Sequence, residues 1–345
     1  MIHPFFEEGS YLMPCTPMGF TFGAAVTFAG GGRARAVPDL AALDRGRQPL
    51  PNVEVEGPSR PPLDVYWRRD RAGAALEIAA KFPLLPNATY TVRVDLAGFA
   101  DPTGPLGGKA AYTFHTLPND ATGTWVVQTW YSQVQKRARD YELYLPPGYG
   151  MSPTQRYPTL HGYVGGLSLI DNWRTRGNLD KKIDGMHQRC EVDPMMFAVP
   201  NPHLFGPVVI AGVSWFVAGD YNDWWNGTQR FETYLTREFM DELEAHWRVR
   251  TDKWGRGAIG YSLSGYGAAI LSMRNPDVFG SFTAMSSFLS LRYTGEVPYA
   301  PPEVAPYWTD PLVSPHSKNT FVEYVARDLI KSLGPDIANW SAHNP

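Results

Sequence analysis

Nine residues, Gly260-Tyr261-Ser262-Leu263-Ser264-Gly265-Tyr266-Gly267-Ala268, limit what this chain can fold into more than any other stretch. Before them, Gly257-Ala258-Ile259 is a short apolar run of small and β-branched residues, as at the end of a buried strand. After them, Ala269-Ile270-Leu271-Ser272-Met273 reads as the apolar start of a helix. A strand, a tight Gly/Ser turn and a helix form the geometry of a nucleophile elbow, in which a serine sits at the tip in a strained backbone conformation. Small neighbours are needed because strand and helix pass close together there. The pattern G-x-S-x-G is met at Gly260 and Ser262, but Ser264 stands where the second glycine is usual, and Gly265 follows. A Gly/Ser turn of this kind also occurs in α/β proteins without such chemistry, so the rest of the chain has to decide.

At 345 residues the chain has room for two domains and a large core. Charged residues make up 19% and the formal net charge is −3, which argues against nucleic acid or an acidic membrane surface as partner. No run of ~18 apolar residues appears, so no membrane span is expected. Cys15 and Cys190 lie far apart, with no C-x-x-C and no histidine at ligand spacing. They predict neither a metal site nor a disulfide framework, and nothing in the sequence supports a bridge between them. The N-terminus, Met1-Ile2-His3-Pro4-Phe5-Phe6-Glu7-Glu8, lacks the basic and apolar regions of a signal peptide. The expectation from that alone is a cytoplasmic protein, or a start that is not the start of the precursor.

Residues 1–120 are poor in helix signals. Thr89-Tyr90-Thr91-Val92-Arg93-Val94 and Ala110-Ala111-Tyr112-Thr113-Phe114-His115-Thr116 alternate cleanly, with Pro/Gly/Asp turns between such runs. Short strands at this spacing predict an all-β sandwich. Leu85-Pro86-Asn87-Ala88-Thr89-Tyr90-Thr91-Val92, the Asp101–Gly107 loop and Tyr112-Thr113-Phe114-His115-Thr116 resemble the end of a bacterial Ig-like domain. The domain is read as a spacer, a lid wall or a carbohydrate- or partner-facing module, and the resemblance points to an extracellular or periplasmic setting.

The pattern changes at residue 121. Trp125–Tyr131 and Arg139–Leu145 read as strands, and Tyr157-Pro158-Thr159-Leu160 is a short strand that breaks into His161-Gly162-Tyr163-Val164-Gly165-Gly166. Such a glycine-rich break lets backbone N–H groups approach a substrate oxygen. His161 is read as locking that loop rather than as a base. Residues 207–213 form a continuous apolar run, which predicts a parallel strand buried on both faces. Phe231, Tyr234, Leu235, Phe239 and Leu243 recur at helical spacing, so 230–246 is predicted as an amphipathic helix with Glu238, Asp241, Glu242 and Glu244 on its solvated face. Alternating strands and helices over 125–290 predict an α/β domain with a doubly wound, mainly parallel sheet.

Four blocks taken together resemble the esterase branch of the α/β-hydrolases that includes S-formylglutathione hydrolases, feruloyl esterases and the mycolyltransferases. They are Arg139–Tyr149, Tyr157–Gly166, Arg230–Glu238 and Gly260–Phe279. The resemblance implies an α/β-hydrolase domain over 121–345 behind an Ig-like sandwich over 1–120. It implies Ser262 as nucleophile, with the backbone N–H groups of Leu263 and Tyr163 as oxyanion donors. No cofactor and no metal are implied. The fold supplies its triad in the order Ser, acid, His, yet no apolar strand ending in an acid follows the elbow. Asp310 or Asp336 with His316 or His343 form one set of candidates. A chain cut before its acid, base and last strands is the other expectation, and a hydrolase-like protein without activity is a third.

The expected function is hydrolysis of a small-molecule or polymer-linked carboxylic ester through an acyl-serine intermediate. The alternatives are an acyltransferase, or an impaired hydrolase fold that binds a carbohydrate or aryl ligand through the loop at Trp224 and Trp225. The sequence selects neither the ester nor the oligomeric state.

Overall fold

The computed structural model describes residues 2–23, 26–28, 35–36, 50–70, 73–166, 168–204, 208–210, 213–215, 218–287, 289, 333–334 and 342–343. The chain divides into two compact units. One is built from Met1–Thr124, Pro146–Gln155 and Asp180–Pro194, and the other from Trp125–Leu145, Arg156–Leu179 and Met195–Pro345.

The first unit is a small β domain. Its strands are β1 (Ile2–Pro4), β2 (Ser10–Leu12), β3 (Met18–Gly23), β4 (Thr27–Phe28), β5 (Arg35–Ala36), β6 (Val53–Glu56), β7 (Leu63–Asp70), β8 (Gly73–Ala80), β9 (Thr89–Asp95), β10 (Phe99–Asp101), β11 (Gly104–Pro105) and β12 (Lys109–Thr116). They form three sheets, ordered β1-β3-β8-β7, β11-β10-β4-β5 and β2-β12-β9-β6. The alternation read from the sequence is the reason for the pairing. Tyr90, Val92 and Val94 point inward from β9 and lie opposite Phe114, Tyr112 and Ala110 of antiparallel β12. Phe22 stacks on Phe99 at 4.9 Å between ring centroids, and Trp67 meets Phe22 edge-on at 5.3 Å. Each such buried aromatic contributes ~2–3 kcal/mol.

Cys15 and Cys190 form a disulfide within this unit, with Cα atoms 5.6 Å apart, and this corrects the sequence reading. The bridge was not legible because its partners are 175 residues apart in sequence. Most of helix α2 (Leu179–Gln188) and the turn after it belong to the β domain, and they bring Cys190 back to its first strands.

The second unit holds a six-stranded sheet, β13-β14-β16-β15-β19-β20. Its members are β13 (Thr124–Ser132), β14 (Arg137–Leu145), β15 (Thr159–Gly162), β16 (Met196–Pro200), β19 (Arg256–Tyr261) and β20 (Ser281–Met285). Strands β16, β15, β19 and β20 run parallel, and β14 is antiparallel to β16. The parallel strand expected at 207–213 lies instead at Met196–Pro200, where all five residues are buried. Val208–Ile210 (β17) pairs in antiparallel fashion with Val213–Trp215 (β18) as a separate ribbon. A continuous apolar run does not by itself distinguish a central strand from such a ribbon.

Helix α1 (Asn172–Thr175) follows β15. The amphipathic segment is helical as expected, in three pieces: α3 (Phe231–Thr233), a π-helical turn (Tyr234–Glu238) and α4 (Phe239–His246). Glu238 is not on a solvated face. Its carboxylate accepts hydrogen bonds from the Ser132 hydroxyl and from the N–H groups of Gln133 and Val134, and so ties down the turn after β13. Helix α5 (Leu263–Arg274) packs its apolar residues into a core with Tyr163, Tyr221, Phe231 and Tyr234.

Strand order reverses beside β15. The next strand, β16, lies on one side of it and β19 on the other. In an open parallel sheet a crevice opens at the carboxyl ends of the strands at such a reversal. The two segments that leave those ends are the His-Gly loop after β15 and the Gly/Ser turn after β19.

Candidate active site

Ser262 is the single residue between the end of β19 and the start of α5. Its backbone has φ 58° and ψ −130°, a conformation that L-residues rarely take and that costs ~1–3 kcal/mol. The surroundings enforce it. Ser262 N–H donates to the carbonyl of Met285 at 3.0 Å, and Ser262 C=O accepts from Gly265 N–H at 3.0 Å. A side chain on Gly260 would lie 2.0 Å from the carbonyl oxygen of Ser264, and one on Gly265 would lie 2.6 Å from Cβ of Ser287. Those two positions need glycine, whereas position 264 accommodates a side chain. Among the described residues the Ser262 hydroxyl has no hydrogen-bond partner. Leu263 N–H opens the helix and has no intrahelical acceptor.

Ser264 explains the departure from the usual elbow pattern. It is fully buried. Its hydroxyl accepts from Tyr261 N–H at 2.9 Å and stands within donating distance of the carbonyls of Tyr261 (2.8 Å) and Tyr163 (3.1 Å).

The loop after β15 lies against the elbow. A side chain on Gly165 would touch the Tyr261 ring at 3.1 Å, and one on Gly166 would meet Leu263 at the same distance. The N–H of Tyr163 does not face this space. It donates to the carbonyl of Ile259 at 2.8 Å, which extends the parallel pairing of β15 and β19 by one residue. This corrects the expectation that Tyr163 N–H is the second oxyanion donor, and its buried side chain belongs to the core.

The carbonyls of the loop are held one after another. Tyr163 C=O accepts from Trp173 Nε1–H at 3.0 Å, Val164 C=O from the Tyr221 hydroxyl at 2.5 Å, Gly165 C=O from Ser168 N–H at 3.0 Å and Gly166 C=O from Ala218 N–H at 3.1 Å. Among the described residues the N–H groups of Val164, Gly165 and Gly166 have no acceptor. Tyr221 reaches the loop from a segment in which Asp220 and Tyr221 both have φ 59°. Tyr221 carried no local signal in the sequence because it acts on a backbone group 57 residues away, and Trp173 and Ser168 carried none because a bond to a nearby backbone carbonyl leaves no residue pattern.

His161 is not a base here. It is buried, and its ring meets Phe239 and Phe279 edge-on at 6.1 and 5.7 Å. Burial, helped by the charge of Arg256, pulls its pKa down to about 3, so it is neutral. It locks the strand by ring packing, and Nδ1 has no hydrogen-bond partner among the described residues. His203 is buried as well. Its Nε2–H donates to Ser168 C=O at 2.8 Å, and burial is the main cause of a pKa lowered to about 4. Asp310, Asp336 and His316 lie outside the described residues. His343 is described and buried, and its carbonyl accepts from the Tyr266 hydroxyl of α5 at 3.1 Å.

Among the described residues no group of three or more His, Cys, Asp or Glu side chains is placed to hold a metal ion. No described helix is long and apolar enough to cross a membrane.

Comparison with known proteins bears on the same region. The family model described as "Putative esterase" matches residues 132–341, more than half of the chain. The "Endo-1,4-beta-xylanase/feruloyl esterase" of Xylanibacter ruminicola is 24% identical over 165 residues, covering 46% of this chain and 21% of that protein. The S-formylglutathione hydrolase of Rattus norvegicus is 26% identical over 213 residues, covering 59% of this chain and 61% of that one. The chain thus spans less than two thirds of the length of either relative. Among solved structures, an S-formylglutathione hydrolase from Agrobacterium tumefaciens aligns with a TM-score of 0.47 at 18% identity, over 65% of this chain and 69% of that one.

Proposed function

Since this chain belongs to the esterase family whose model it matches, we propose that it hydrolyses carboxylic esters through an acyl intermediate on Ser262. The observation that carries the reading is the backbone of Ser262, φ 58° and ψ −130° at the junction of β19 and α5. In a nucleophile elbow a backbone of this kind exposes the serine hydroxyl to substrate with the next residue's N–H beside it, which supports the assignment of Ser262 and Leu263. The serine oxygen attacks the ester carbonyl and the alcohol leaves. Water then attacks the acyl-serine, which releases the acid and restores Ser262. Each step passes through an oxyanion, for which we assign Leu263 N–H and an N–H of the Val164–Gly166 segment as donors. Each donor is worth roughly 3 kcal/mol in the transition state.

A serine hydroxyl needs a base. We look for it at His316 or His343, with Asp310 or Asp336 as the acid. The chemistry is assigned to residues 121–345, and the Ig-like reading of 1–120 is kept as a spacer. The Cys15–Cys190 bond supports an oxidising, extracellular or periplasmic setting. The named activity of the Xylanibacter ruminicola relative makes a feruloyl ester the first natural substrate to try.

The experiment is turnover of p-nitrophenyl butyrate by the chain and by Ser262→Ala, with covalent labelling by an aryl phosphonate alongside. Turnover and labelling that both vanish in Ser262→Ala support the reading. Turnover that survives the substitution overturns it. Saturable ligand binding with no labelling of Ser262 would favour the non-catalytic alternative. With turnover established, alanine at His316 and at His343 identifies the base.

A further inference from the structure

We propose that Ser264 is a positioning residue of this reaction: its buried hydroxyl fixes the strand end that carries Ser262 relative to the loop whose N–H groups face the substrate oxygen. The inference rests on the acyl-serine reading above and adds a role that the residue type usual at this position, glycine, cannot perform.

In a planar trans peptide, the C=O of one residue and the N–H of the next point in opposite directions. A carbonyl held from behind therefore aims the following N–H forward. Tyr163 C=O is held by Trp173 Nε1 and stands 3.1 Å from Ser264 Oγ, and the N–H that shares its peptide is that of Val164. Val164 C=O is held by Tyr221, and its peptide carries Gly165 N–H.

On its other side, Ser264 Oγ accepts from the N–H of Tyr261, the residue before the nucleophile, at 2.9 Å, which leaves its single proton to donate to the Tyr163 carbonyl. The Tyr261 carbonyl shares a peptide with Ser262 N–H, which is itself anchored on Met285. One hydroxyl thus connects the nucleophile's strand to the peptide that precedes Val164 N–H. The connection spans 101 residues of sequence between Tyr163 and Ser264. Ser264 is fully buried, so water cannot replace it without a rearrangement.

The test compares Ser264→Ala and Ser264→Gly with the unaltered chain, with Ser272→Ala as control. Ser272 lies on the same helix, and its buried hydroxyl has no partner among the described residues. Circular dichroism and thermal melts establish folding. Then kcat, KM and the rate of Ser262 labelling by an aryl phosphonate are measured. Both Ser264 variants should lose roughly 10- to 100-fold in kcat and in labelling rate, with KM changed by less than about twofold. Ser272→Ala should match the unaltered chain.

Folded Ser264 variants with undiminished kcat and labelling overturn the proposal. So does failure of both variants to fold, since the hydroxyl would then hold the fold rather than the site. Failure of the underlying reading shows elsewhere, as an unaltered chain that neither turns over nor labels at Ser262.

Discussion

The ring of Tyr221 lies directly over Gly267, so closely that a side-chain carbon on that glycine would come within 2.3 Å of it. From there the Tyr221 hydroxyl reaches Val164 C=O at 2.5 Å. The first turns of α5 and the loop after β15 are therefore spaced by one aromatic ring. Gly267→Ala should push the ring away and destabilise the protein by ~1–3 kcal/mol, as overpacking does. Esterase activity should fall with it. Tyr221→Phe should keep the packing and lose only the hydroxyl, so its melting temperature should exceed that of Gly267→Ala. Thermal melts and turnover of the two variants check the order.

The backbone of Ser262 makes a second prediction about stability. At φ 58° a glycine is relieved of the strain that serine and alanine both bear. Ser262→Gly should therefore be more stable than Ser262→Ala, by about 1 kcal/mol. Neither variant should turn over substrate. Equal unfolding midpoints in denaturant would show that the elbow is not strained.

The pH dependence of stability follows from buried histidines, of which His161 and His203 are shifted furthest. His161 titrates at about 3 and His203 at about 4 in the folded chain, against an ordinary value of 6.5, and burial is the leading cause in both. Their folded pKa values are lowered, so below 6.5 the unfolded chain binds protons that the folded chain refuses. Their stabilisation is fully present above pH 6.5 and is lost as the pH falls towards 4 and then 3. Each histidine contributes a slope of up to ~1.4 kcal/mol per pH unit in that window. Melting temperatures measured from pH 7.5 to 4 should fall below pH 6.5, and His203→Gln should flatten the curve.

Reduction of the Cys15–Cys190 bond should destabilise the β domain. Closing a loop of this length removes ~3–5 kcal/mol of unfolded-state freedom. Unfolding with and without dithiothreitol should differ by that order, and Cys15→Ser should reproduce the reduced protein.

The elbow was legible in the sequence because its chemistry is local: two glycines, a serine and the apolar runs around them lie within nine residues. Much of the α/β order was legible for the same reason, where periodicity is local as over 230–246, but the central strand Met196–Pro200 was missed because a short apolar run does not say which strand it is. Tyr163 misled because its N–H is claimed by Ile259, almost a hundred positions later, and no local pattern records that pairing. Ser264 read as a defect in a motif and proves to be a hydrogen-bonded junction. Glu238 read as a solvated helix charge and holds a turn over a hundred residues earlier. In each case the deciding partner is a backbone group far along the chain, and backbone groups look alike in every sequence.

The link between residues 15 and 190 turns the chain from one cysteine to the other into a closed covalent ring. Strands β13, β14 and β15 lie on that ring. Cutting the backbone near residue 120 therefore would not release a separate catalytic piece. The fragments would migrate together until a reductant was added. A shortened gene that starts after residue 120 would go further, because it leaves Cys190 with no sulfur to join and most of α2 without the rest of the unit it belongs to. Loss of activity in such a shortened protein would report the severed ring rather than any part that the β domain plays in catalysis.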